Sequence, residues 1–271
     1  MPLPVTVLLF ALLCAFFLWL FLIAPRARRA AVQPFLRPYA HRGLWNAEVP
    51  ENSLAAFRLA AEQGFGIELD VQLSSDGEVM VFHDYTLERM CHVDKKLSEL
   101  TAAELSAITL ANTAEHIPTL KEVLAVVAGR VPLLIELKGE NGNTALCPAL
   151  VAVLAEYEGS WCVESFNPLL LAWFKRHRPL VVRGLLSTNL IKEKKKGSRV
   201  LNFALSALWL TFLCRPQFHA WDHKYPRRLA LRCGIALFGA ASLVYTVKAN
   251  EDYASHMKKG QYPIFDGFVP Q

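Results

Sequence analysis

Gly66-Ile67-Glu68-Leu69-Asp70-Val71-Gln72-Leu73 and Val131-Pro132-Leu133-Leu134-Ile135-Glu136-Leu137-Lys138 decide how this chain folds. The second stretch is apolar almost throughout, as a strand covered on both faces must be. In both, charged residues stand two apart near the C-terminal end: Glu68 with Asp70, and Glu136 with Lys138. Residues two apart on a strand share a face, so each pair projects together.

Strand-like and helix-like segments alternate around these two. Pro38–His41 is a short strand ending in His41-Arg42-Gly43. Ser53–Gln63 shows helical spacing in Leu54, Phe57, Ala60 and Ala61, with Asn52 as the expected N-cap and Gly64 as the stop. Glu78–His83 is strand-like, and capping boxes at Thr101/Glu104 and Thr119/Glu122 start two further helices around a loop at 111–117. Helix is expected near 144–158, 168–177 and 226–233, and strand at 161–165, 180–186, 217–222 and 241–248, the last two being the final strands. Such alternation predicts a parallel sheet with crossover helices. At 271 residues the chain is long enough for one α/β-barrel-sized domain, or for two small ones.

Polar residues gather at four strand ends: His41-Arg42, Glu68 and Asp70, His83-Asp84, and Glu136 and Lys138. In a (β/α) barrel such ends meet on one face. Three converging carboxylates repel one another, and a divalent cation relieves the repulsion. Oxygen-only ligation favours Mg²⁺ or Ca²⁺ over zinc. Two histidines can trade protons near neutral pH, and Arg42 and Lys138 can neutralise a phosphate. The same charges could instead form a structural ion-pair network; position alone does not decide.

The motifs around them do. Ala40-His41-Arg42-Gly43 and Pro50-Glu51-Asn52-Ser53-Leu54-Ala55-Ala56-Phe57 resemble the opening of the glycerophosphodiester phosphodiesterase family. The resemblance continues through Gly64, Ile67–Val71, Asp76-Gly77, Val81-Phe82-His83-Asp84 with Leu87-Glu88-Arg89, Ile117–Leu120, Ile135–Lys138 and Ser165-Phe166. It is dense from 40 to 138 and looser to 186. It implies a TIM-like (β/α)8 barrel and hydrolysis of glycerophosphodiesters; the apolar N-terminal run and the apolar run at 200–214 point instead to glycerol-based (lyso)phospholipids. The resemblance further implies metal ligation by Glu68, Asp70 and Glu136, acid/base roles for His41 and His83, and phosphate contact by Arg42 and Lys138. Glu51 and Asn52 are expected to shape the first βα loop. The chain departs from the family where Tyr245-Thr246-Val247-Lys248 stands for Trp-Thr-Val-Asn. It departs again where Asp266-Gly267-Phe268-Val269-Pro270 lacks the usual Thr-Asp pair. Both departures bear on the edge of the substrate pocket. Asp222 and His223 are expected in an exposed loop. The rival from another class is a non-catalytic, membrane-tethered barrel that binds phosphorylated headgroups.

Apolar residues make up 53% of the chain, with the excess in residues 1–24 and 200–214. Leu3–Ala24 carries no charge and, at about 1.5 Å per residue, can cross the roughly 30 Å of hydrocarbon. Basic residues follow it at Arg26, Arg28 and Arg29, whereas a cleaved signal peptide carries its charge first. The expectation is one N-terminal transmembrane helix with its flank (1–29), a catalytic domain (30–271) in the cytoplasm, and the lipid bilayer as a partner. The second apolar run follows Lys192, Lys194, Lys195, Lys196 and Arg199. It is either a buried barrel helix or a basic, apolar insertion (190–215) lying at the membrane interface. The net charge of +5 forms no basic stripe interleaved with aromatics, so no nucleic acid is expected. The six cysteines make no CxxC or Cys/His zinc pattern, which suits a reducing compartment.

Overall fold

The structure, a computed structural model, describes residues 3–26, 29–139 and 142–270; Ala27 and Arg28 of the basic flank lie outside the described residues. Eight strands run parallel in a closed ring. β1 (Tyr39–His41) pairs with β2 (Gly66–Leu73) on one side and with β9 (Tyr262–Phe265) on the other. β4 (Leu133–Leu137), β5 (Trp161–Ser165), β6 (Arg183–Ser187), β7 (Phe218–Asp222) and β8 (Ala241–Val247) complete it in sequence order. Helices pass outside the strands: α2 (Leu54–Glu62), α3 (Ala102–Ser106), α4 (Leu120–Val127), α5 (Leu146–Val153), α6 (Pro168–His177), α7 (Arg199–Ser206), α8 (Thr211–Cys214), α9 (Leu229–Ala236) and α10 (Asn250–Lys258). This is the expected TIM-like (β/α)8 barrel.

Three details differ from the sequence reading. The strand after β2, β3 (Val79–Val81), runs antiparallel to it and is not a stave. The eighth stave is β9, beyond the two strands taken as last. Its four residues include Pro263, which reads as a breaker yet sits in register beside Val244. The cap of α2 is Ser53, whose hydroxyl accepts from Ala56 N at 3.1 Å; Asn52, at φ 55°, is left free for another partner.

Alternation along the strands divides the core. Ile67, Leu69, Val71, Leu133, Ile135 and Leu137 face the helices in the larger apolar cluster. The other face fills the barrel interior in layers. Tyr39, Leu134, Cys162, Phe218, Leu243 and Ile264 form an apolar floor. Gly184 is required there, because a Cβ would stand 2.0 Å from the Phe218 ring. Above the floor the inward positions turn polar.

The stretch between β6 and β7 breaks into α7 and α8 instead of one apolar helix. Leu208 and Cys214 are buried, while Val200 (79% exposed) and Phe203 (51%) face outward. Ahead of the barrel, α1 (Leu3–Ile23) has 21 residues and a mean hydropathy of 2.8, enough by length and composition to cross a membrane. A signal sequence meets the same criterion. Its side chains are exposed up to Leu18, but Trp19 and Leu20 pack on the barrel and Ile23 is buried. Arg215 holds this end: its Nη1 donates to the carbonyls of Phe21 (2.9 Å) and Ala24 (2.6 Å), and its guanidinium covers the Phe21 ring.

Candidate active site

The polar inward layers open at the C-terminal mouth of the barrel. Register sets them: Asp70 lies beside Glu136, and Glu136 beside Glu164. A pocket of about 200 Å³ is lined by His41, Arg42, Glu68, His83, Glu136 and Lys138, with Glu164, Phe166 and Tyr245 on its far wall. Asp70 is fully buried beneath it. The seven residues singled out from sequence therefore meet in one place.

His83 reaches it by an unexpected route. Because β3 doubles back along β2, Phe82 N donates to Asp70 O at 3.0 Å, and the next residue arrives level with the carboxylates. Arg42 stands at φ 59°, a left-handed turn that directs its backbone N–H to Glu68 Oε2 (2.9 Å). Its guanidinium spans Glu51 Oε1 (2.7 Å) and Asp70 Oδ2 (3.5 Å). Lys138 Nζ bridges Asp70 Oδ1 (2.9 Å) and Glu136 Oε1 (2.6 Å). Asn52 Nδ2 donates to Asp70 Oδ2 at 2.9 Å, so Asn52 supports the carboxylates as well as the loop.

The electrostatics are uneven. Burial, with repulsion from Asp70 and Glu136, pushes the Glu68 carboxyl well above its usual range. Burial and Asp70 push Glu136 up to about 7, against the pull of Lys138. Burial also raises Asp70, but Lys138 and Arg42 outweigh it and hold Asp70 well below the ordinary range. Burial keeps His83 below the usual imidazole value, despite Asp70 nearby.

One oxygen from each of Glu68, Asp70 and Glu136 lies within 4.8 Å of the others. Oxygens about 2.0–2.6 Å from one cation can stand no more than roughly 5 Å apart, so the trio fits a shared ion. Glu68 Oε1 is buried without a hydrogen-bond partner. Burial is the largest cause of both raised carboxyls, and repulsion among the carboxylates adds to it. Three buried carboxylates are a donor set that can accommodate a divalent cation.

Two carboxyl groups were missed from sequence. Asp266 Oδ1 lies 3.3 Å from His41 Nδ1 and accepts from Trp45 Nε1 at 2.8 Å, while its Oδ2 meets Lys248 at 3.1 Å. His83 Nδ1 has the corresponding partner in Asp84 Oδ1 at 2.6 Å. Each imidazole thus has a carboxylate within 3.3 Å of Nδ1, hydrogen-bonded at His83 and in ion-pair range at His41, whose Nε2 stands 4.0 Å from Glu68 Oε2. The second missed group is Glu164, buried and raised well above the usual carboxylate range by burial and by Glu136. An Asp-Gly turn and a lone Glu in an apolar strand carry no local signal of either role. Asp222 is buried, not in an exposed loop, and accepts from Thr188 Oγ1 at 2.9 Å.

Solved structures share this architecture. A phosphodiesterase of Oleispira antarctica, determined in complex with the product sn-glycerol-3-phosphate, superposes with a TM-score of 0.70 at 25% identity, over 85% of this chain and 92% of that one. In sequence, a glycerophosphodiester phosphodiesterase of Caldanaerobacter subterraneus is 35% identical over 160 residues, 54% of this chain and 65% of that protein. One from Bacillus altitudinis is 31% identical over 168 residues, 57% of this chain and 68% of that protein. The chain therefore spans about two thirds of the length of these relatives. The model of the glycerophosphoryl diester phosphodiesterase family matches residues 41–259, from the first site histidine to the last helix. With the barrel, the acidic trio and this match in agreement, the chain belongs to the glycerophosphoryl diester phosphodiesterase family.

Proposed function

We propose that this family member hydrolyses phosphodiesters of glycerol, water-soluble or carried by a (lyso)phospholipid, with one divalent cation, Mg²⁺ or Ca²⁺, held by Glu68, Asp70 and Glu136. The observation that carries the reading is the acidic trio within 4.8 Å, faced by two histidines that each have a carboxylate within 3.3 Å of Nδ1. The cation would supply Lewis acidity at a phosphoryl oxygen and offset the charge of the trio. His41 and His83 form the acid/base pair. One takes the proton from the attacking hydroxyl, whether water or a hydroxyl of the substrate itself, and the other protonates the departing alcohol. The carboxylates beside Nδ1 orient both rings. Arg42 and Lys138 supply the positive charge that a phosphodiester anion needs.

The closed ion-pair reading has one observation in its favour, the Lys138 bridge between Asp70 and Glu136. It leaves Glu68 Oε1 without a partner. The same division holds for the chain as a whole: residues 1–29 act as a membrane anchor and basic flank, and 30–271 as a catalytic domain on the cytoplasmic side. The exposed apolar length of α1 and the basic residues after it support this.

The test is turnover of glycerophosphocholine by the purified full-length protein, before and after chelation. Activity should vanish with EDTA and return with added Mg²⁺ or Ca²⁺. Unchanged turnover after complete metal removal refutes the reading.

A further inference from the structure

A second cavity, of about 310 Å³, adjoins the acidic pocket. The ends of β6, β7 and β8 close one side, and the stretch between β6 and β7 closes the other. Leu185, Leu186, Leu190, Leu205, Leu208 and Leu210 form most of its apolar wall. Its volume lies at the lower end of the roughly 300–1,000 Å³ typical of small-molecule sites. The polar groups at its edge already have partners. The Thr188 hydroxyl donates to Asp222 at 2.9 Å, Arg228 Nη2 donates to Ser187 Oγ at 2.7 Å, and the Tyr225 hydroxyl donates to Glu193 at 3.1 Å. Apart from Lys195 and the Tyr245 hydroxyl, what is left to meet an occupant is hydrocarbon.

The two cavities share walls. Phe166, Leu186 and Tyr245 line both. At that junction the Tyr245 hydroxyl is buried without a hydrogen-bond partner, which is costly unless an occupant provides one. A molecule with its phosphodiester over the acidic trio would pass this hydroxyl before reaching the leucines. The wall is also amphipathic in the other sense. α7 turns Leu205 toward the cavity, while Val200 (79% exposed), Leu201 (49%) and Phe203 (51%) face outward. Lys192, Lys194, Lys195 and Lys196 stand exposed just before them. The turn after α7 continues into α8, against which the end of α1 packs through Phe21 and Phe212, 5.9 Å between ring centroids.

We propose that this cavity is an acyl-chain subsite, and that it makes a monoacyl glycerophospholipid the preferred substrate over a water-soluble glycerophosphodiester. The proposal rests on the phosphodiesterase reading and specifies its substrate class. The phosphodiester lies over Glu68, Asp70 and Glu136; the glycerol passes Tyr245, whose hydroxyl donates to an oxygen of the glycerol or its ester. One hydrocarbon chain fills the leucine cavity. The apolar and basic outer face of α7 is the side from which a lipid leaves a bilayer surface.

The experiment uses the full-length protein with lysophosphatidylcholines of increasing chain length, all below their micellar concentrations, and with glycerophosphocholine. Each methylene seated in the cavity should raise kcat/KM about fourfold until the cavity is full. Leu205→Trp fills the space. It should lower kcat/KM at least tenfold on the long-chain substrate, move the optimum to shorter chains, and leave glycerophosphocholine turnover within twofold. Leu205→Ala enlarges the space and should move the optimum to longer chains, a shift that a merely destabilised protein would not show. Equal losses on both substrates, or no dependence on chain length, would overturn the subsite.

Binding of lysophosphatidylcholine to chelator-treated protein separates the two readings. If neither glycerophosphocholine nor lysolipid is cleaved but lysolipid binds and Leu205→Trp weakens it tenfold, the phosphodiesterase reading fails and the subsite stands. If glycerophosphocholine is cleaved but lysolipid neither binds nor reacts, the subsite alone falls.

Discussion

Glu136 offers the sharpest test of the charge imbalance at the barrel mouth. Its carboxyl is held at about 7 against an ordinary 4.5, chiefly by burial and by Asp70. The folded protein therefore binds that proton more tightly than the unfolded chain does. The resulting stability is fully present below about 4.5 and is lost as the pH rises toward 7. A shift of this size corresponds to a cost on the order of 3 kcal/mol for the ionised form. Glu136→Gln removes the charge but weakens the contact with Lys138, 2.6 Å away, which returns about 1–2 kcal/mol of the gain. In EDTA at pH 8 the variant should be more stable than the wild type by about 1–2 kcal/mol in urea denaturation, with a flatter pH dependence between 5 and 8. With saturating Mg²⁺ or Ca²⁺ the order should reverse. The wild type should gain about 2.7 kcal/mol at a cation concentration a hundred times Kd, and the variant less than about 0.5 kcal/mol. A variant that is destabilised in EDTA and indifferent to cations would refute the imbalance and restore the closed ion-pair network.

Other outcomes follow from particular contacts. Asp266→Asn should lower kcat about 100-fold with KM little changed, since it frees the His41 ring without touching the trio; Asp266→Glu should recover part of the loss, and a pure rise in KM would contradict the assignment. Gly184→Ala should cost about 1–3 kcal/mol, or roughly 2–12 °C in Tm, because the new methyl meets the Phe218 ring; an unchanged Tm would mean that the floor of the barrel is loosely packed. The full-length protein should stay with membranes through carbonate extraction, and removal of residues 1–26 should release it with glycerophosphocholine turnover retained; release of the full-length protein would show that α1 is no anchor.

Much of the barrel is legible because its signals are local. The apolar run at 133–137, the charges two apart on β2 and β4, and the capping boxes at Thr101 and Thr119 all lie within a few residues of what they specify. β9 is hidden because a four-residue strand with Pro263 in it shows neither length nor alternation. Asn52 is a good N-cap by type, yet the neighbouring Ser53 caps α2 and frees the amide for Asp70. His83 reads as a stave end in the sequence, yet a hairpin carries it to the carboxylates. Asp266 is separated from His41 by 225 positions in sequence, and only closure of β9 onto β1 brings them together. The two cavities are a similar case, since the leucines of α7 and the ends of β6 become one wall only through packing.

The central claim is that three carboxylates of the barrel mouth share one cation. A crystal grown with Mn²⁺ and measured at the manganese absorption edge tests it directly. A single anomalous peak within about 2.0–2.6 Å of Glu68, Asp70 and Glu136 is the result expected. A peak elsewhere, or none at all with Lys138 still bridging Asp70 and Glu136, would contradict it.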